Sequence, residues 1–106
     1  MPGDLIALTH DDIVELVIEE AAEVILAAQK VKRFGFDRIH PGHEHNGVAL
    51  FRELGDLAAS IEAILSRYPV ARHATLHDAF DNAMRTKISR ALAAKAELMA
   101  EQRERR

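Results

Sequence analysis

The sequence predicts an all-α fold: an antiparallel bundle of three long helices, with room for an extra short helix and a four-helix-type core completed by oligomerisation. Three observations carry that expectation. Glycine and proline are sparse and clustered, at Pro2-Gly3, at Gly35, Pro41, Gly42 and Gly47, and at Pro69, so three long stretches are free of helix breakers. No stretch alternates polar and apolar residues as a half-buried strand does. Apolar residues recur instead at three- and four-residue spacing, the period of a helix face.

The first helix is expected from about His10 to Arg33. Thr9 is its N-cap, and Asp12, three residues on, closes a capping box. The second is expected from about Gly47 to Arg67, with Asn46 as N-cap. The third runs from about Leu76 to a frayed end near Arg106, with Thr75 and Asp78 repeating the capping-box pattern. The connector from Phe34 to His45 is long for a helix hairpin and reads as a functional loop or a short extra turn.

Composition narrows the class. At 106 residues the chain forms one small domain, 1–106. Cysteine is absent, which excludes a disulfide scaffold and a Cys-ligated metal site. No apolar run approaches the ~18–20 residues of a membrane span, and Met1 to Thr9 lack a signal-peptide pattern. The expectation is a cytoplasmic protein without a membrane or a nucleic acid polymer as partner. Charge is divided: residues 1–66 carry a net −7 and residues 67–106 a net +4. That split fits a site in which one half holds cations and the other meets anions; two ordinary solvated surfaces are the alternative.

The chemistry lies in four carboxylates. At 100° per residue, Ile13, Leu16, Val17, Val24, Ala27 and Val31 form one stripe of the first helix, with Glu20 at its centre and Glu23 at its edge. On the second helix Leu50, Leu57, Ile61 and Ile64 form a stripe that holds Glu53 and is flanked by Asp56. In an antiparallel hairpin the two acidic pairs stand within roughly 5 Å of the same level, at a rise of ~1.5 Å per residue. Converging carboxylates repel unless some take up protons or a cation binds. Oxygen donors without His or Cys favour Mg²⁺, with Mn²⁺ as a substitute. Surface ion pairs are the alternative for each pair taken singly.

The segments Glu19-Glu20-Ala21-Ala22-Glu23 and Glu53-Leu54-Gly55-Asp56 read EExxE followed by ExxD. Lys30 and Arg33-Phe34-Gly35 follow the first pair, and Asn46 and Leu50 precede the second. Over roughly residues 10–66 this resembles the MazG-like all-α nucleoside triphosphate pyrophosphohydrolases. The resemblance implies hydrolysis of a nucleoside triphosphate to the monophosphate and pyrophosphate, as nucleotide-pool housecleaning. Glu20, Glu23, Glu53 and Asp56 would then be Mg²⁺ ligands and catalytic residues, and Glu19, the leading acid, would hold an outer or water-activating place. The same resemblance implies a dimer or tetramer, and favours deoxynucleotides by analogy.

A triphosphate also needs cations from the protein. Lys30 projects near the direction of Glu23, two turns along, and Arg33 lies about one turn further; favourable placement at a helix C-terminus is the alternative for both. Lys87 falls within the third helix's stripe of Leu76, Phe80, Ala83, Met84, Ala91 and Leu98, where an inward lysine must snorkel or meet an anion. His40, His43 and His45 form an HxxHxH loop cluster, either a transition-metal site or ordinary loop histidines. His73 and His77 read as surface or capping residues.

Second apolar strips, Val14, Ile18, Ala21 and Ile25 on the first helix and Phe51, Leu54, Ala58 and Leu65 on the second, exceed what three helices can cover and imply a symmetric oligomer. A non-enzymatic helical dimerisation or adaptor module, with structural acidic pairs, is the alternative function. A di-iron carboxylate bundle would want ExxH spacing, which neither motif supplies.

Overall fold

A computed structural model describes residues 7–39 and 43–105. It is all-α: α1 spans His10–Phe34, α2 Asn46–Arg67 and α3 Ala74–Glu104. No helix of these described residues is long and apolar enough to cross a membrane. The chain divides into two compact units, one ending at Tyr68 and the other starting at Pro69.

The first unit is an antiparallel α1–α2 hairpin. Thr9 caps α1 as its side chain predicts: the Asp12 backbone N–H donates to Thr9 Oγ1 at 3.1 Å, and the Thr9 N–H donates to Asp12 Oδ2 at 2.8 Å. The Thr9 backbone N–H, and after it the Thr9 side chain, hold the Asp12 carboxyl below its ordinary pKa. Gly35 ends α1 at φ 102°, a value that favours glycine, and its N–H closes onto the Val31 carbonyl.

Polar bonds fasten both ends of the hairpin. At the loop end, Asn46 Nδ2 donates to the Gly35 carbonyl at 3.1 Å and the Gly47 N–H to the Phe36 carbonyl at 2.8 Å. A Cβ at Gly47 would run into the Phe36 ring, which would have to swing aside to admit it. At the far end, Tyr68 hydrogen-bonds His10, with the rings edge to face at 5.9 Å. Between these ends the predicted stripes meet. Ile13 and Ala27 are buried, and Leu16, Val17, Val24, Val31, Leu50, Leu57, Ile61 and Ile64 are half-buried.

Two caps differ from expectation. Asn46 does not cap α2; it is the buried first residue of the helix, and His45 takes the cap. His45 Nδ1 accepts from the N–H groups of Gly47 and Val48 at 3.0 and 3.3 Å. The physical reason is that the Asn46 amide is used across the hairpin, on the carbonyl of Gly35. The described part of the connector contains no extra helix. It has a turn after Gly35 and one antiparallel bridge between Ile39 and His45.

The second unit starts with a backbone turn in which the Arg72 and His73 N–H groups both donate to the Pro69 carbonyl at 3.0 Å. That turn nucleates α3 at Ala74, two positions earlier than expected. Thr75 therefore falls within the first turn and cannot act as the cap. His73 stands at the cap position without a side-chain cap bond. None of the residues of α3 is buried.

Candidate functional site

The hairpin brings acidic side chains of both helices together. One carboxylate oxygen each from Glu20 on α1 and from Glu53 and Asp56 on α2 lie within 4.8 Å of one another. Glu53 is buried, Glu20 half-buried and Asp56 exposed. Glu53 and Asp56 are three residues apart and so share a face of α2, while Glu20 occupies the centre of the opposing stripe. Desolvation, then the charges of Asp56, Glu53, Glu23 and Glu19 in that order, push the Glu20 carboxyl above the ordinary glutamate value.

Two clefts border the cluster. One, of about 370 Å³, is lined by Glu23, Lys30, Asn46, Arg52 and Glu53 among others. The other, of about 430 Å³, has Glu20, Asp56 and Ser60 in its wall, with Leu8, Leu16 and Ala63. Glu23, expected as a fourth ligand, is exposed and lines the first cleft without joining the tight group. Glu19 is exposed and acts on Glu20 through its charge.

The predicted cations fall in different places. Lys30 shares a cleft with Glu23 and Glu53. Arg33 lies over the Phe34 ring at 5.3 Å and, with Lys30, Lys32 and Gln29, lines a cleft of about 540 Å³ at the end of α1. Lys87 is exposed on α3, and so is most of the stripe that was to enclose it: Met84 is 67% and Leu98 49% exposed. In the loop, His43 is exposed. His45 is engaged through both ring nitrogens, with Nε2 at 3.3 Å from Asp37 Oδ1. His40 lies outside the described residues. Of the second apolar strips, Ile18, Ile25, Phe51 and Leu54 are exposed in the single chain, Phe51 at 66%.

One site residue escaped the sequence reading. Arg52 Nη1 donates to Glu53 Oε1 at 2.6 Å, while Nε donates to Glu44 Oε1 at 3.0 Å. The Glu44 bond and charge are the main reasons its guanidinium is held above its ordinary pKa. Helical spacing places Arg52 off the acidic face, and only the length of its side chain brings it back. The available signal was the adjacency of a basic residue to Glu53, with an acid eight positions earlier.

No family model, curated protein or solved structure matches the chain. The donor set therefore has to be judged by its chemistry. Three carboxylates from two helices, with no nitrogen or sulfur donor among them, fit a hard divalent cation that keeps part of its water shell. The clefts lined by Glu53 and by Glu20 and Asp56 leave room for a second ligand.

Proposed function

We propose that this chain is a Mg²⁺-dependent nucleoside triphosphate pyrophosphohydrolase of the MazG-like kind, converting (d)NTP and water to (d)NMP and pyrophosphate. The observation that carries the reading is the convergence of Glu20, Glu53 and Asp56 within 4.8 Å across two facing helices. Glu20, Glu53 and Asp56 would hold Mg²⁺, or Mn²⁺ in its place, with Glu23 joining from the wall of the first cleft. Bound there, the ion supplies charge neutralisation and polarisation of a phosphoryl group.

The protein's own groups do the rest. A polyphosphate is multiply anionic, and Lys30 presents a cation in the cleft that Glu53 lines. Arg33, at the end of α1, is the further cation assigned to the phosphates. Glu19 stands beside Glu20 as an outer carboxylate available to orient water. The carboxylates are preorganised by the α1–α2 core, so positioning and electrostatics carry the catalysis. A cytoplasmic nucleotide-housecleaning role and a dimer or tetramer belong to the same proposal. The exposed Ile18, Ile25, Phe51 and Leu54 support the oligomer. They equally favour the second reading, a helical association module whose acidic residues are structural.

A panel of canonical and modified NTPs and dNTPs with Mg²⁺ decides between the two, scored for monophosphate and pyrophosphate. Turnover should require the metal, and Glu53→Gln should lose about 100-fold or more in kcat. Lys30→Ala should raise KM with kcat retained. Release of orthophosphate would place the cleavage at the wrong bond, and full activity in Glu53→Gln would place the site elsewhere. Absence of turnover across the panel would leave the association module.

A further inference from the structure

Arg52 is the residue whose contacts are hardest to reconcile with a passive surface position. Its guanidinium bridges Glu44 in the connector and Glu53 in the cluster, making two bonds to the Glu44 carboxylate and one, at 2.6 Å, to Glu53. The Arg52 side chain is 53% exposed and that of Glu53 only 11%. A solvent-accessible cation thus sits on the most buried carboxylate of the group, in the wall of the cleft that also contains Lys30.

We propose that Arg52 is an internal counter-ion, occupying Glu53 until a divalent cation displaces it, and that Glu44 is the dock that keeps the displaced guanidinium. The inference rests on Glu20, Glu53 and Asp56 being metal ligands. Three carboxylates at this spacing repel one another, and one positive charge on Glu53 relieves part of that repulsion. A divalent ion relieves more, but it repels a guanidinium bound to the same carboxylate, so metal and Arg52 compete for Glu53. Displacement breaks one of the three hydrogen bonds. The other two, both to Glu44, remain, so the guanidinium is never left without a partner. Arg52 therefore opposes metal entry, and Glu44 favours it by drawing Arg52 away.

Opposite signs follow for two adjacent variants. Mn²⁺ is titrated into the nucleotide-free full chain and free ion is read by electron paramagnetic resonance, with Mg²⁺ as competitor. Arg52→Gln should bind roughly three- to fivefold tighter than wild type, and Glu44→Gln weaker by a similar factor, the scale of a partly exposed charge pair. Melting curves of both variants establish that each is folded. Weaker binding in both, as for a residue that merely holds Glu53 in place, overturns the proposal, and so do equal affinities in all three proteins. A wild type that takes up no metal is a different failure: it removes the metal site and the proposed activity with it.

Discussion

The α1–α2 hairpin and α3 are both helical and both patterned, yet they differ in what they enclose. The hairpin buries two apolar residues, Ile13 and Ala27, and three polar ones, Asn46, Glu53 and Ser60. Each of those polar side chains has a partner: Asn46 the Gly35 carbonyl, Ser60 the Leu57 carbonyl at 2.7 Å, Glu53 the Arg52 guanidinium. α3 is the longest of the three helices, at 31 residues, and none of its residues is buried, His77, Phe80 and Thr86 being half-buried. Its side-chain hydroxyls bond locally, Thr86 to the Asn82 carbonyl and Ser89 to that of Thr86. A helical period tells which face is apolar. It does not tell whether anything covers that face, and only a covered face can hold a carboxylate against its preference for water.

The largest expected effect tests this difference directly. Ile13→Ala removes a buried side chain and should destabilise the protein by about 2–4 kcal/mol in urea titration. Met84→Ala, on the apolar face of α3, should stay within about 0.5 kcal/mol. A cost for Met84→Ala approaching that of Ile13→Ala would show that α3 buries this face in solution, and the contrast between the regions would fall.

The same contrast explains what the sequence made legible. The helix spans followed from the absence of breakers, and the α1 cap from Thr9 and Asp12, because these are properties of a few neighbouring residues. The stripe of Ile13, Ala27 and Val31 and the meeting of Glu20 with Glu53 and Asp56 followed because two faces with matching acidic centres constrain one another. His45 takes the cap expected of Asn46 because a cap is chosen by competition for partners. Asn46 is the better N-cap residue type, but the Gly35 carbonyl across the hairpin claims its amide. Arg52 stayed hidden because its bonds depend on a long side chain folding back across the helix surface, which no angular projection records.

A smaller effect sharpens the account of the hairpin's loop end. His45→Ala removes the acceptor for two N–H groups at the start of α2 and should cost about 1 kcal/mol, whereas His45→Asn should restore most of it. Chemical denaturation of the three proteins checks this. Equal loss in Ala and Asn variants would mean that the edge-to-face contact of His45 with Phe36, at 5.6 Å, outweighs the cap.

The smallest effect is the one tied most closely to the site. The folded-state pKa of Glu20 is raised above the ordinary glutamate value, first by desolvation and then by Asp56, Glu53, Glu23 and Glu19. A carboxyl raised on folding contributes stability that is present below its unfolded pKa and lost as pH rises through the folded value. At about pH 7 without divalent metal, wild type therefore bears a desolvation cost and a repulsion that Glu20→Gln lacks, and the variant should be the more stable protein. As pH falls toward the raised pKa, wild type takes up the proton and the gap should narrow. Asp12 shifts the opposite way, and its stabilising contribution is lost as pH falls through its lowered pKa. It is present in both proteins and cancels in their difference. Urea midpoints of the pair at about pH 7 and about pH 5 measure the gap. A gap independent of pH would mean that neither desolvation nor its acidic neighbours raise Glu20, and adding Mg²⁺ at neutral pH should close the gap where acid does.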